Sequence, residues 1–338
     1  MTLYGSVVRP AMFALSPERS HELARSSLRW PLPWQALSRM QGLAVRDERL
    51  EVTFAGVRLP GPVGLAAGFD KDCDLLEALS TLGFGFLCVG SIMPSPRTGN
   101  PRPRIVRLED QESIADSMGV PSKGRSHALA RLRDRKRLGI PLFANVGGFN
   151  AEELAIGIRE ILPLVDAVEI SLMCPNVLKP GEHFDDLGVL RSVLDACAGL
   201  EPSLVVRVPN DTAKDRGRFA QLIEICVGAG VGGLKVGGGR PVEEPRLGTG
   251  RGTLHGRAIF EDALGNVSFA SKVARGRIPI KGNGGISTAD DVRAMLAAGA
   301  CCVDLYSAFV YRGWTIARDI HRDLVRSAGP VAAAPATA

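Results

Sequence analysis

Eight short runs rich in β-branched and other apolar residues recur along the chain, and a turn and a helical stretch follow each one. The runs span residues 63–67, 86–90, 141–146, 167–171, 204–208, 233–236, 278–282 and 302–306. Strands that alternate with helices in this way build parallel sheets, because each helix carries the chain back across the sheet. Eight such units predict an α/β fold of the (β/α)8, or TIM, barrel type.

The remaining segments extend this barrel rather than adding a second one. A chain of 338 residues with 45% apolar content can bury one large core. Residues 51–54 and 57–59, joined through Ala55 and Gly56, predict a hairpin that closes the barrel floor. We therefore expect a small N-terminal helical extension over 1–46, a barrel domain over 47–328 and a disordered tail rich in Ala and Pro over 329–338.

The N-terminal extension is basic and amphipathic. It carries six arginines and two glutamates, a net charge of +4 in a chain of net charge +5. Ser16 and Pro17 provide the cap and first position of a helix, and Trp30 and Trp34 follow. The segment predicts two short helices with apolar faces. A basic pair of this kind suits a membrane-surface anchor, and an ordinary helical cap on the barrel is the equally weighted alternative. Nucleic-acid binding is not expected, since no recognised motif accompanies the arginines.

Other function classes are disfavoured by what the chain does not contain. No apolar run reaches the roughly 20 residues that span a bilayer, and no secretory signal is evident. Seven cysteines without a CxxC pair and five scattered histidines predict free thiols, a reducing compartment and no metal site. We expect a cytoplasmic protein, with peripheral contact at the inner face of the cell membrane if the extension is an anchor.

Two loops at the predicted carboxyl end of the barrel are suited to a phosphate. Residues 282–286 (GNGGI) follow the seventh strand, and 287–290 (STAD) open the next helix. Tyr306 and Ser307 follow the eighth strand. Glycine backbone N–H groups and helix N-termini favour anions, and barrels bind phosphate at this position. The pair of loops predicts a phosphorylated cofactor.

The same edge of the barrel receives a thiol. Cys174 and Asn176 come just after the fourth predicted strand. A thiol with an ordinary pKa of roughly 8.5 can exchange a proton near neutral pH. A small buried cysteine that packs a strand end is the alternative.

Several long motifs, in order, resemble the dihydroorotate dehydrogenase family. They are residues 63–71 (VGLAAGFDK), 83–86 (GFGF) with 89–91 (VGS), and 100–104 (NPRPR). Residues 15–22 (LSPERSHE) are similar to the helical extension of the membrane-associated, quinone-using class. The resemblance implies an FMN cofactor, a quinone acceptor and hydride transfer between a substrate C–C bond and flavin N5.

Position by position, the resemblance also implies a cofactor site. Arg207 stands where the family has a lysine near the flavin N1–O2 edge, and a cation there stabilises the anionic reduced flavin. The implied FMN contacts are Ala67, Gly68, Ser91, Asn145, Ser171, Arg207, Gly256, Gly284, Gly285, Tyr306 and Ser307.

The substrate positions depart from the family pattern. Asparagines that read the orotate ring are replaced by Ser171, by the stretch 116–121 (DSMGVP) and by the glycines 237–239. Cys174 is the base of the soluble class, whereas the quinone-using class has serine. Each lost buried hydrogen bond costs roughly 1–3 kcal/mol, and Gly238 and Gly239 are expected to open volume. The substrate-side residues are Lys71, Asp116, Met118, Gly119, Val120, Asn176, Gly238 and Gly239, with Cys174 as the acid/base.

These departures favour a family dehydrogenase that acts on a small molecule other than dihydroorotate, in specialised metabolism. A genuine quinone-dependent dihydroorotate dehydrogenase of pyrimidine biosynthesis is the first alternative. A flavin-binding barrel without catalysis is the second, and the retention of Cys174, Asn176 and Lys71 argues against it.

Overall fold

In the computed structural model, residues 2–172, 186–208 and 214–327 are described. Cys174 and Asn176 lie outside these ranges, as does the predicted tail over 329–338. In the described part of the chain, fourteen strands are formed. They are β1 Val52–Phe54, β2 Val57–Leu59, β3 Val63–Leu65, β4 Phe86–Ile92, β5 Ile105–Leu108, β6 Ser113–Asp116, β7 Leu142–Gly147, β8 Ala167–Ser171, β9 Leu204–Arg207, β10 Gly233–Gly237, β11 Arg240–Glu243, β12 Arg251–Gly256, β13 Ile280–Asn283 and β14 Cys302–Leu305.

Eight of these strands close into a parallel barrel, which confirms the predicted fold. The order around the barrel is β3, β4, β7, β8, β9, β10, β13, β14 and back to β3. Each of the eight predicted runs coincides with one barrel strand to within two residues at either end. Strands β7 and β8 are buried along their whole length, as parallel strands covered by helices should be.

The predicted hairpin is present as β1 and β2, which pair in antiparallel register with Val52 opposite Leu59. Its buried Phe54 ring lies 6.0 Å from the ring of Phe143, which projects from β7. Phe86 of β4 completes this aromatic group at 5.4 Å from Phe143. The hairpin thus supplies the apolar floor of the barrel.

A second sheet, which the sequence analysis did not predict, lies above the barrel. Its strand order is β11, β12, β6 and β5, all antiparallel. Thr253 of β12 pairs with Asp116 of β6, although 137 positions separate them in the sequence. This sheet brings the 113–116 and 251–256 segments together over the barrel mouth.

The α-helices cover the barrel and its mouth. In the described ranges they are α1 Arg9–Phe13, α2 Pro17–Leu28, α3 Pro31–Gln41, α4 Leu76–Leu79, α5 Arg125–Asp134, α6 Ala151–Ile161, α7 Asp186–Ala196, α8 Arg216–Gly228, α9 Phe260–Ala274, α10 Ala289–Ala297, α11 Ser307–Arg312 and α12 Ile316–Arg326. None of the described helices is long and apolar enough to cross a bilayer.

The N-terminal helices dock onto the barrel mouth. A π-helical turn, Tyr4–Val8, leads into α1, and Ser16 caps α2 through its side chain as predicted. A third helix, α3, begins at Pro31, and the sequence analysis had no helix there. The Tyr4 hydroxyl donates a 2.5 Å hydrogen bond to the carbonyl of Val310, and the Tyr4 ring packs edge-on against Trp314. These contacts fix the extension over the carboxyl ends of the strands.

Candidate active site

One cavity of about 530 Å³ joins the barrel mouth to the space beneath the N-terminal helices. Ligand pockets in proteins typically measure about 300–1,000 Å³, so this one can hold a cofactor-sized molecule. Its barrel end is lined by polar side chains and glycines, whereas its other end is lined by apolar side chains of the extension. That apolar end includes Val8, Met12, Phe13, Leu28 and Trp34.

Fifteen of the residues predicted from the sequence line this cavity. They are Ala67, Gly68, Lys71, Ser91, Asp116, Met118, Gly119, Val120, Asn145, Arg207, Gly256, Gly284, Gly285, Tyr306 and Ser307. Ser171 is buried at the end of β8 and is not part of the lining. Gly238 and Gly239 are not part of it either, and Cys174 and Asn176 fall outside the described residues.

The loop after β13 is held rigid by one buried carboxylate. Asp291 accepts hydrogen bonds of 2.9 Å from the backbone N–H groups of Ser287 and Thr288, and it pairs with Arg257 at 2.5 Å. Burial opposes the charge, but the guanidinium and backbone donors outweigh it, so the pKa of Asp291 lies below its ordinary value. The capping box of α10 therefore fixes Gly284 and Gly285 at the cavity wall.

The cavity wall formed by β6 and β12 carries an acid and a histidine. Asp116 Oδ2 lies 3.2 Å from His255 Nε2, and both side chains line the cavity. Burial would raise the pKa of Asp116, but the hydrogen bond and charge of His255, with the nearby Lys71, bring it below its ordinary value. A negative carboxylate thus lines the cavity at Asp116.

Gly239 does not leave the empty volume that the sequence analysis expected of Gly238 and Gly239. A Cβ added at Gly239 would lie 2.1 Å from Cγ2 of Thr253 and 2.5 Å from Cε1 of His255. The side chains of Thr253 and His255, both on β12, therefore fill the space that a side chain at 239 would occupy. Gly238 is tied by its N–H to the carbonyl of Asn283 at 3.1 Å.

Lys71 lies between this wall and the extension. Its ammonium donates a hydrogen bond to the carbonyl of Gly68. Burial and the charge of Arg25 lower the pKa of Lys71 to about 8, against the opposing attraction of Asp116. Lys71 is a cation at neutral pH that can bind an anionic group and lose its charge in mildly alkaline solution.

His21 and Phe69 line the cavity where the N-terminal helices meet the barrel, and Arg25 supports Phe69 from outside the lining. Arg25 donates a 3.1 Å hydrogen bond to the carbonyl of Phe69 and faces Asp72 at 3.5 Å. The His21 ring packs edge-on against Phe69 at 5.6 Å. Burial, together with the charges of Lys71 and Arg25, lowers the pKa of His21 to about 3, so this imidazole is neutral at physiological pH.

Four buried charges, which the sequence analysis missed, lie at the barrel end of the cavity. Glu169, Lys235, Lys281 and Asp304 project from four different barrel strands, and each is 6% exposed or less. The signal was in the sequence, because a charge inside a predicted buried strand requires a partner. His255 carried no such signal, since its position depends on a strand pairing distant in the sequence.

A family profile described as "Dihydroorotate dehydrogenase" matches residues 49–327. The chain belongs to the dihydroorotate dehydrogenase family. Its curated relatives include "Dihydroorotate dehydrogenase (quinone)" of Erythrobacter litoralis, 35% identical over 95% of this chain and 94% of the relative. The protein of the same name from Salinispora arenicola is 36% identical over 94% and 97%. A crystal structure of DHODH in complex with ferulenol from Eimeria tenella matches with a TM-score of 0.73 and 27% identity, covering 90% of each chain.

Membership of the dihydroorotate dehydrogenase family makes this barrel a flavin-dependent dehydrogenase acting on a CH–CH bond. The residues present fit a flavin mononucleotide on structural grounds. Asn145 and Arg207 offer polar groups at the barrel end for a ring edge. Gly284, Gly285 and Ser307 offer backbone and hydroxyl donors at the wall for a phosphate. In the described ranges, no group of three or more His, Cys, Asp or Glu side chains is placed to hold a metal ion.

Proposed function

We propose that the chain is an FMN-dependent dehydrogenase that oxidises a CH–CH bond beside a carbonyl and passes the electrons to a quinone. The observation that carries this proposal is the single cavity with two unlike ends. Its barrel end combines glycine loops, Asn145 and Arg207, which suit a flavin, with Lys71, which suits a substrate anion. Its other end is apolar and runs beneath the N-terminal helices, which suits a quinone.

Bound FMN would supply the acceptor for hydride at flavin N5, and the protein would supply proton transfer and positioning. Cys174 takes the proton from the carbon next to the carbonyl. Lys71 and Asn176 hold the carboxylate or carbonyl that polarises the reacting bond. Arg207 would stabilise the negative charge that the bound flavin gains on reduction. In this scheme Ala67, Gly68, Ser91, Tyr306 and Ser307 hold the cofactor.

For the substrate, we propose a small anionic molecule other than dihydroorotate. By the family resemblance, the cavity wall formed by β6 and β12 would bind the pyrimidine ring through side-chain amides. It carries Asp116 and His255 instead, with Asp116 Oδ2 3.2 Å from His255 Nε2. Ser117, in the same substituted stretch, accepts a 3.0 Å hydrogen bond from Asn100 and is thereby occupied within the protein. A pyrimidine ring presents alternating hydrogen-bond donors and acceptors, and a side-chain amide can pair with both. Here the ring would contact a carboxylate, which only accepts hydrogen bonds, and an imidazole.

Dihydroorotate itself is the second candidate, and the names of the relatives favour it. Curated proteins from several bacteria, 30–36% identical over most of the chain, are called dihydroorotate dehydrogenase (quinone). Lys71, Asn176 and the cofactor positions, which match the family motif in this sequence, are compatible with that substrate.

We also propose that residues 1–46 form a unit that contacts the membrane and admits the quinone. In the described ranges nine large apolar side chains are exposed, and seven of them lie in this segment. They are Leu3, Val7, Leu15, Leu23, Trp30, Leu32 and Met40. Together with a charge of +4, this surface suits an anionic bilayer.

The experiment is an anaerobic titration of the purified protein, followed by flavin absorbance. Prompt bleaching by dihydroorotate would establish the second candidate and end the proposal of another substrate. A flavin that dithionite reduces but dihydroorotate does not would support the other-substrate reading. A flavin that resists every reductant would favour an inactive binding barrel, and a protein that never takes up flavin would contradict the redox function altogether.

A further inference from the structure

The four buried charges form a closed ring of ion pairs inside the barrel. Lys235 Nζ lies 3.1 Å from Glu169 Oε1 and 2.9 Å from Asp304 Oδ2. Lys281 Nζ lies 2.9 Å from Glu169 Oε2 and 3.2 Å from Asp304 Oδ2. Each ammonium therefore bridges both carboxylates, and the ring as a whole is neutral. We call these four residues the charge ring.

The charge ring is not explained by stability. Removing ions from water costs several kcal/mol for each ion, and buried ion pairs replaced by apolar residues of similar volume often leave a protein equally or more stable. Lys281 does rest on the aromatic floor, with its Nζ 5.4 Å from the ring centroids of Phe86 and Phe143. Such a floor could have been completed with leucine or isoleucine at no electrostatic cost.

The ring is continuous with the predicted cofactor contacts. Glu169 Oε1 also accepts a 2.8 Å hydrogen bond from Asn145 Nδ2. Asn145 Oδ1 in turn accepts a 2.5 Å hydrogen bond from the Ser91 hydroxyl. The amide of Asn145 is thereby fixed in one orientation, with its nitrogen towards the ring and its oxygen towards Ser91. A rotated amide would place two donors or two acceptors together.

One side of the ring faces the cavity and the other does not. Glu169 and Lys235 line the cavity beside Arg207, whereas Lys281 and Asp304 lie deeper, away from the lining. Lys235 and Arg207 are opposite each other on neighbouring strands β10 and β9. The neutral ring plus Arg207 leaves one net positive charge at this end of the cavity. In a dry site, a charge a few ångströms away acts far more strongly than it does in water.

We propose that the charge ring is an electrostatic support for the cofactor, in which Glu169 and Asp304 hold Lys235 and Asn145 in place and set the balance between oxidised and reduced flavin. The inference rests on the proposed flavin function. Two-electron reduction by hydride transfer would add one negative charge to a bound flavin, so an added positive charge at this end of the cavity would favour the reduced form. Glu169, Lys235, Lys281 and Asp304 act through Asn145, Arg207 and the local field, and are positioning residues.

The test is the flavin midpoint potential of three variants, measured at one pH. Glu169→Gln removes a negative charge and should raise the potential, and Lys235→Met removes a positive charge and should lower it. The double variant Glu169→Gln/Lys235→Met restores the net charge and should return close to the wild-type value. We expect a roughly tenfold change in the reduced-to-oxidised stability ratio for each single variant, which is about 30 mV for a two-electron couple.

The matched control is Asp304→Asn, which makes the same charge change as Glu169→Gln but away from the cavity lining. It should shift the potential in the same direction by less. If one single variant does not fold or hold flavin, the sign of the shift is read from Asp304→Asn and from the other single variant. Potentials that do not move, or that all move the same way regardless of charge, would make the ring a structural ion cluster and overturn the proposal. A wild-type protein that binds no flavin would instead contradict the proposed function.

Discussion

His255 occupies the space that a side chain at Gly239 would need. A Cβ at Gly239 would lie 2.5 Å from His255 Cε1 and 2.9 Å from its Nδ1, well inside van der Waals contact. The glycine therefore permits the histidine that pairs with Asp116. Glycine at 239 and the imidazole at 255 are therefore sterically linked in one wall of the cavity.

Gly239→Ala should accordingly destabilise the protein by about 1–3 kcal/mol, because His255 and Thr253 must both shift. Equilibrium unfolding in urea measures this. Gly265→Ala is the matched control, since a Cβ at Gly265 in α9 meets nothing within 4 Å and should stabilise the helix by up to about 1 kcal/mol. Equal stability of Gly239→Ala and wild type would show that the imidazole moves aside freely.

Binding of an anionic substrate should weaken as the pH rises through about 8. Burial and Arg25 lower the pKa of Lys71 to about 8, so its ammonium is lost there. The unfolded chain keeps that proton up to about pH 10, so this group's contribution to folding stability rises between those pH values. KM for the substrate should increase above pH 8 in the wild type. In Lys71→Gln, KM should be high at every pH, and an inflection near pH 8 in that variant would assign the titration to another group.

The barrel could be read from the sequence because its signals are local. Each strand is a short, mostly apolar run followed by a helix, and such a run indicates a buried strand, as in β7, where every residue is buried. The β5–β6–β11–β12 sheet could not be predicted in this way. Its strands are short and partly polar, and β6 finds β12 only after the barrel has brought distant segments together.

The residues of the candidate site also differ in whether a local sequence signal could predict them. Ala67 and Gly68 follow β3 and Ser91 lies near the end of β4, so motif and register could place them. His255 could not, since nothing near it in the sequence indicates Asp116 as its partner. Glu169 is an intermediate case: its carboxylate inside the run 167–171 demanded a buried cation, but the sequence did not say which lysine. Two lysines, Lys235 and Lys281, meet that demand.

The exposed apolar side chains of the extension should bind lipid. Replacing Trp30, Leu32 and Met40, which are 73%, 74% and 85% exposed, by serine removes apolar surface without touching the cavity lining. Each buried side chain of this size contributes about 1.5–3 kcal/mol, so the triple variant should bind anionic vesicles at least about tenfold more weakly in cosedimentation. Ile156→Ser, a comparable exposed change on the barrel, should have no effect. Equal vesicle binding by both variants would remove the membrane role of the extension.

The proposed proton transfer by Cys174 can be separated from the redox step. Cys174→Ala should slow flavin reduction by the true substrate about 10²–10⁴-fold, the usual contribution of a positioned acid or base, because it removes the proposed base. Reduction by dithionite needs no such base and should be unchanged. Cys301→Ala makes the same change at a half-buried thiol that donates to the carbonyl of Ile280 and lies away from the cavity lining, so it should leave both rates intact. If Cys174→Ala reduces at the wild-type rate, the proton goes elsewhere, and the Asp116–His255 pair becomes the group to test next.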